Sequence, residues 1–306
     1  MVDIVVVGSL NMDVVVRVSH MPATGETISG SDLESIPGGK EANQATAAAK
    51  LDSEVAMIGR MGNDVFGSKI KENLSSVGVN TKHVQIDKEA NSGTAIILVD
   101  SCGENSIVIS PGANVRVCET DIDAAEELIL QAKILLLQFE IPLETVKYAA
   151  KVANKHNVNV ILNPAPALAI PSSLLTMTHF LVLNETEANA ISQVEVKDLD
   201  SARLVAGKLL NQGLKEVIIT LGENGALLAT KNGMDYTPAR KVKGVDTTAG
   251  DAFIGGLALA IVRGMPIKDA VQFAGYAGAL AVTKLGAQTS LPSLDEVQNS
   301  TIQCQV

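Results

Sequence analysis

The 306-residue chain contains no tryptophan, three tyrosines and five phenylalanines. Its interior must therefore be packed from Val, Ile, Leu, Ala and Met, and 46% hydrophobic residues are enough for a large core rather than a disordered chain. Positive charge is also scarce: 24 Lys and Arg against 34 Asp and Glu leave a net charge of -10. A general nucleic-acid binder needs a basic face for phosphate contacts, so that class is excluded. A small phosphorylated ligand held by backbone N–H groups is not. The three cysteines, Cys102, Cys118 and Cys304, are far apart and form no CxxC pair. They suggest neither a disulfide framework nor a zinc site, and read as reduced thiols of a cytoplasmic protein. His20, His83, His156 and His179 are isolated from one another and from other ligand types, which argues against a histidine-based centre. No apolar run approaches the roughly 18–20 residues of a membrane span, and the N-terminus lacks the basic start of a signal peptide.

Two nucleotide signatures are missing as well. No GxGxxG follows a strand, so a dinucleotide site has no support. Gly62 to Lys69 looks like a Walker A loop with its last two residues transposed, which misplaces Lys69 and Ser68 for phosphate and metal; it is a chance match.

What is present alternates between strand and helix. Asp3–Val7 is a continuous β-branched run, suited to a strand buried on both faces. Runs at 13–18, 25–30, 93–100 and 105–110 have no helix between partners and predict a small separate sheet, inserted in two pieces over about 13–32 and 93–110. Elsewhere, predicted strands at 55–59, 134–138, 158–162, 180–183, 216–220 and 226–229 alternate with helices at 42–50, 67–77, 119–132, 142–156, 185–192, 202–211, 250–263 and 267–284. The expectation is a single α/β domain over 1–306: a three-layer αβα, mostly parallel sheet with a small β-sheet lid.

In such a sheet, ligands bind beyond the C-terminal strand ends. That makes Asn11, Asp13, Glu140, Asn163, Asn184, Glu187, Thr220 and Gly222 candidates, although turn residues are common there. Two segments stand out further. In Gly38-Gly39-Lys40-Glu41-Ala42-Asn43 a glycine pair permits close backbone approach, and Lys40 and Asn43 open a helix. In Asp246-Thr247-Thr248-Ala249-Gly250-Asp251 small residues start a helix whose free N–H groups suit an anion. Asp251 is a poor anion ligand by charge but fits a base that takes a proton from a hydroxyl attacking a phosphoryl group.

These segments, with Gly8 to Asp13, Leu137 to Glu140, Asn163 to Ala167, Asn184 to Glu187, Thr220 to Gly222 and Gly286 to Ser290, resemble the PfkB (ribokinase) family of carbohydrate kinases over essentially the whole chain. The resemblance implies a ribokinase-like fold, usually dimerising through the lid. It implies transfer of the ATP γ-phosphate to a sugar hydroxyl, with the 5-hydroxyl of D-ribose the leading acceptor. By position, Asn11, Asp13, Gly39, Lys40, Asn43 and Glu140 are expected to bind the sugar, with Asp251 as general base. The N–H groups of Ala249, Gly250 and Asp251 are expected to form the anion hole. Asn184, Thr220, Gly222 and Gly275 are expected at the nucleotide, with Glu187 acting on Mg²⁺ through water. Asp246, Thr248, Ala281, Lys284, Gly286 and Ser290 match positions that hold a monovalent cation, usually K⁺.

The chain departs from the family pattern in three places. Glu41 stands where glycine is usual, adding bulk and negative charge. The Asp246–Asp251 motif is one small residue short, so Asp251 is expected to be re-aimed or a helix turn pulled apart. Gly275-Tyr276 replaces a small or polar pair near the adenine. The first two predict retained sugar binding with reduced turnover. They also carry the competing readings, another sugar kinase of the family or a catalytically weak sugar-binding homologue.

Overall fold

The computed structural model describes residues 2–242, 244, 248–284 and 286–302, with nothing said of the side chains of 301 and 302. The chain opens with β1 (Ile4–Val7), β2 (Asn11–Arg17), β3 (Glu34–Gly38), α1 (Lys40–Lys50), β4 (Val55–Gly62), α2 (Val65–Ser76) and β5 (Asn80–Asp87). It continues through β6 (Gly93–Val99), β7 (Asn105–Ser110), α3 (Glu119–Asp123), α4 (Glu126–Gln131), β8 (Ile134–Leu137), α5 (Leu143–Lys155) and β9 (Asn159–Leu162). The last part holds α6 (Ser172–Met177), β10 (Phe180–Asn184), α7 (Glu185–Ser192), α8 (Leu199–Leu210), β11 (Glu216–Thr220), β12 (Ala226–Thr230) and β13 (Gly233–Thr237), then α9 (Ala249–Val262), α10 (Ile267–Ala281) and α11 (Leu294–Ile302).

Nine strands form one sheet in the order β13-β12-β11-β10-β9-β8-β1-β4-β5. It is parallel from β11 to β5, while β12 and β13 run antiparallel at one edge. Alternate side chains serve opposite layers. Val5, Val7, Leu135 and Leu137 pack with α5 and α8, whereas Ile4, Val6, Ile134 and Leu136 pack with α1, α9 and α10. On α5, Val146, Ala149, Ala150 and Ala153 are buried at the spacing of one helical face. The expected three-layer αβα architecture is what the chain adopts.

A second sheet orders β3-β2-β6-β7. Three of its strands match the predicted runs. The fourth does not: residues 25–30 form no strand, and Glu34–Gly38 takes that place. Residues 19–27 are largely exposed, with no apolar face to seat them. β3 tolerates Pro37 because it lies at the sheet edge, where a missing donor costs nothing. The predicted helix over 119–132 is two helices, because the Ala125 N–H bonds the Ile122 carbonyl and tightens the chain into a turn. Ile122, Ala125 and Ile129 then all reach the core. Edge strands β5 and β13 and the short α6 and α11 have no sequence expectation; β5 and β13 carry too many exposed polar residues to show alternation.

The two helices that open at the strand ends, α1 and α9, pack backbone to backbone. A Cβ on Gly255 would lie 2.5 Å from the Ala47 Cβ and 2.9 Å from the Ala48 nitrogen. Gly255→Ala should therefore lower stability by about 1–3 kcal/mol in urea unfolding; an unchanged midpoint would show that the helices separate freely.

Candidate active site

β1 ends at Val7, and the chain turns through Gly8 to Leu10 into the small sheet, leaving Ser9 and Asn11 at the C-terminal edge of the large one. Asn114 fixes this turn: its Oδ1 accepts the Leu10 N–H at 2.9 Å, and its Nδ2 donates to Asn11 Oδ1 at 2.7 Å. The other end of the Asn11 amide is 3.4 Å from Glu140 Oε2, just beyond β8. Asp13 lies against the Gly38-Gly39 turn; a Cβ on Gly38 would be 2.3 Å from Asp13 Oδ2. Gly39 caps α1 at φ 95°, a left-handed conformation that glycine adopts without strain. Lys40 is the first residue of α1, and Asn43 and Gln44 face α9. Their amide nitrogens donate to the two oxygens of Asp251 at 3.0 and 3.1 Å. The expected sugar-side residues Asn11, Asp13, Gly39, Lys40, Asn43 and Glu140 thus converge with Asp251.

Carboxylates dominate this space. Burial, then the charges of Glu140 and Asp251, push the Asp13 carboxyl up to about 6. Burial also raises Glu140, with Ser9 and Lys40 pulling it back, and raises Asp251 against Lys40, Asn43 and Gln44. Burial alone would lower Lys40, but Asp251, Glu140, Glu187 and Glu41 together hold its ammonium above the ordinary range. Glu41 is fully buried. Burial, then the charge of Glu140, pushes it up to about 8, only partly opposed by Ser9 and nearby backbone N–H groups. Burial thus works against the extra negative charge expected at this position.

At the start of α9, a cavity of about 1010 Å³ is lined by Thr220, Gly222, Ala249, Gly250, Gly275 and Tyr276, among others. The first-turn N–H groups of α9 precede any i−4 partner within the helix. Asn184 is not on the cavity wall; it pairs with Thr220 across β10 and β11, and its Oδ1 accepts the Glu187 N–H to cap α7. Glu187 accepts Asn163 Nδ2 at 3.0 Å and the Asn184 N–H at 2.9 Å, both on Oε2. Its other oxygen, a hard donor, fits a water-mediated Mg²⁺. Of the monovalent-cation set, Asp246 lies outside the described residues. Thr248 precedes α9, Ala281 ends α10, and α10 meets the start of α9, since a Cβ on Gly278 would be 3.0 Å from the Ala249 carbonyl oxygen. The Lys284 ammonium pairs with Glu296 at 2.5 Å, and the Gly286 carbonyl accepts the Ser290 N–H at 3.0 Å. Main-chain and hydroxyl oxygens here suit K⁺, with the Lys284 side chain turned to its own partner. The described residues contain no cluster of three His, Cys, Asp or Glu side chains that could hold a metal ion.

The shortened motif neither unwinds α9, which runs unbroken from Ala249, nor turns Asp251 away from Asn43. Val245, Asp246 and Thr247 lie outside the described residues. Sequence reasoning gave no role to Ser9, Gln44, Asn114 or Gln138. Gln44 lies in a segment already singled out, and Gln138, which donates to Gln44 Oε1, immediately follows β8. Asn114 meets its partners from more than a hundred positions away, with no local signal.

The pattern of the pfkB family carbohydrate kinases matches residues 1–294. The chain belongs to the PfkB carbohydrate kinase family. It is 42% identical to ribokinase of Schizosaccharomyces pombe, covering 98% of both chains. It is 40% identical to deoxyribokinase of Salmonella typhi, covering 96% of this chain and 97% of the relative. The structure of Arabidopsis thaliana ribokinase complexed with ribose and ATP superposes with a TM-score of 0.92 at 33% identity, covering 98% of each chain. This PfkB protein is a ribokinase-type sugar kinase, a phosphotransferase acting on an alcohol group of a sugar. No described helix is long and apolar enough to cross a membrane.

Asp13 makes the acid side of binding testable. Ionised, its carboxylate accepts hydroxyl donors at both oxygens and more strongly than the neutral acid does, so sugar affinity should fall by up to about tenfold between pH 7 and pH 5 as pH drops through about 6. Calorimetric titration should show this loss reduced in Asp13→Asn; an affinity unchanged across that range would remove Asp13 from sugar recognition.

Proposed function

We propose that this PfkB kinase phosphorylates D-ribose at O5, using ATP. The observation that carries this reading is the location of Asp251. Its carboxylate accepts from Asn43 and Gln44 and lies near Asp13 and Glu140, while Ala249 and Gly250, the two residues before it on α9, line the large cavity. Asn11, Asp13, Asn43 and Glu140 fix sugar hydroxyls, and a wrong epimer leaves them unpaired. Asp251, its carboxyl raised by burial, takes the proton of the attacking hydroxyl. The N–H groups of Ala249, Gly250 and Asp251 face the transferred phosphoryl oxygens, and Lys40 balances the carboxylates around them. Thr220, Gly222 and Gly275 hold the nucleotide, with Asn184 beside Thr220 on the neighbouring strand. Glu187 would hold Mg²⁺ through water, and the ion would supply charge neutralisation on the phosphates. Thr248, Ala281, Gly286 and Ser290, with Asp246 and the Lys284 main chain, would hold K⁺, whose charge would support the start of α9.

With the loop one residue short, turnover is expected to be reduced, since one anion-hole donor is worth about 10²–10³ in rate. A coupled assay with ATP and a panel of D-ribose, 2-deoxy-D-ribose and hexoses, with and without K⁺, tests the reading. D-ribose should give the highest kcat/KM, and Asp251→Asn should lower kcat roughly 10²–10⁴-fold. Preference for 2-deoxy-D-ribose would favour a deoxyribokinase, as in the Salmonella relative. Thermal stabilisation by ribose without turnover would favour a binder, and turnover typical of the family would remove the impairment.

The reading includes a cytoplasmic location, supported by the free thiols of Cys102 and Cys118, and a homodimer formed through the small sheet. On β6 and β7, Ile96 and its cross-strand partner Val108 expose apolar side chains on one face and Ile107 and Ile109 on the other, all about half exposed or more, and a second lid would cover one of these faces. Ile107→Lys with Val108→Lys should shift sedimentation from dimer to monomer; a wild-type monomer would exclude the dimer.

A further inference from the structure

The interior behind the sugar-side carboxylates holds an acid that the reaction does not use. Glu41 extends into space that Gly8 leaves open, where a Cβ on Gly8 would fall 1.9 Å from the Glu41 Cγ. Ser9 Oγ lies 2.6 Å from Glu41 Oε2 and 2.5 Å from Glu140 Oε2. A serine hydroxyl has one proton to donate. Two carboxylate oxygens cannot both be served by it, so at these distances one of the two must itself be a protonated acid that donates to Ser9.

The surroundings decide which. Glu140 is partly exposed and is stabilised as an anion by Lys40 and by the Asn11 amide. Glu41 is fully buried, and its Oε1 has no hydrogen-bond partner among the described residues. An unpartnered carbonyl oxygen is far cheaper to bury than an unpartnered anionic one. The proton therefore belongs to Glu41.

We propose that Glu41 is a positioning residue held as a neutral acid: it donates to Ser9, Ser9 donates to Glu140, and this chain orients the Glu140 carboxylate for the sugar. The proposal rests on the sugar-kinase reading for its ligand but not for the proton on Glu41. Loss of that proton sets two anions against one hydroxyl and pushes Glu140 out of place. Glu41 titrates at about 8, so sugar affinity falls as pH rises through that value. The other charged groups facing this space act in the opposite sense or not at all. Asp13 on β2, Glu140 after β8 and Asp251 on α9 become better acceptors as pH rises, and Lys40 on α1 is held above its ordinary range.

Two measurements test this on the full chain. The first needs no sugar: an infrared difference between wild type and Glu41→Gln should show a protonated carboxyl at pH 7 that disappears by pH 9.5. Its absence at pH 7 overturns the proposal. The second is the ribose dissociation constant from pH 7 to 9.5, compared within each protein. Wild type should weaken about tenfold per pH unit above the titration point, while Glu41→Gln, whose amide can still donate to Ser9, should stay flat. Glu41→Gly should also be flat, and serves if the amide variant fails to fold. A wild-type affinity that does not change, or the same alkaline loss in the variants, overturns the proposal. Failure of the kinase reading appears separately, as no ribose phosphorylation at pH 7, where Glu41 is neutral and the infrared signal still decides its protonation.

Discussion

One ammonium group among several buried carboxylates governs this site. Lys40 stands at the first residue of α1, within the fields of Asp251, Glu140, Glu187 and Glu41. These groups come from β8, α1, α7 and α9, elements that share no local sequence. Carboxylates brought so close and so dry would repel one another and take up protons unless a cation and amide donors offset them. Asn43 and Gln44 on Asp251, Asn11 on Glu140 and Asn163 on Glu187 do so. Burial first, and the neighbouring carboxylates after it, still leave Asp13 and Glu41 well above ordinary carboxyls.

Helix packing holds that arrangement in place. Small residues let α9 lie directly on α1, with Gly255 against Ala47 and Ala48. The Gly and Ala residues of α9 permit this close approach. It brings Asp251 within hydrogen-bond reach of Asn43 and Gln44, so the strand ends become one site rather than separate loops. Phosphoryl transfer depends mainly on such positioning and on charge stabilisation.

Much of the fold could be read from the chain. β-branched runs such as Ile4–Val7 and the stripe of Val146, Ala149, Ala150 and Ala153 carry their own periodicity. Edge strands β5 and β13 did not, because exposed edges need no alternating apolar face. The fourth strand of the small sheet was misplaced from 25–30 to 34–38, since pairing with β2, not local propensity, selects it. Of the site, the motif residues were legible, while Asn114 and Gln138 were not, because their roles exist only through partners distant in sequence.

The sequence by itself determined the α/β class, the aliphatic core, the exclusion of a basic binding face and the residues that mark a PfkB kinase. Periodicity, charge and local motifs are properties of neighbouring residues, so they survive without a fold. Only the tertiary structure decided the state of Glu41. In the sequence it is an added negative charge beside the sugar loop. In the fold it is buried against Gly8 and shares the Ser9 hydroxyl with Glu140. Ionisation is set by solvent and neighbours, which the chain acquires only when distant segments close over the side chain.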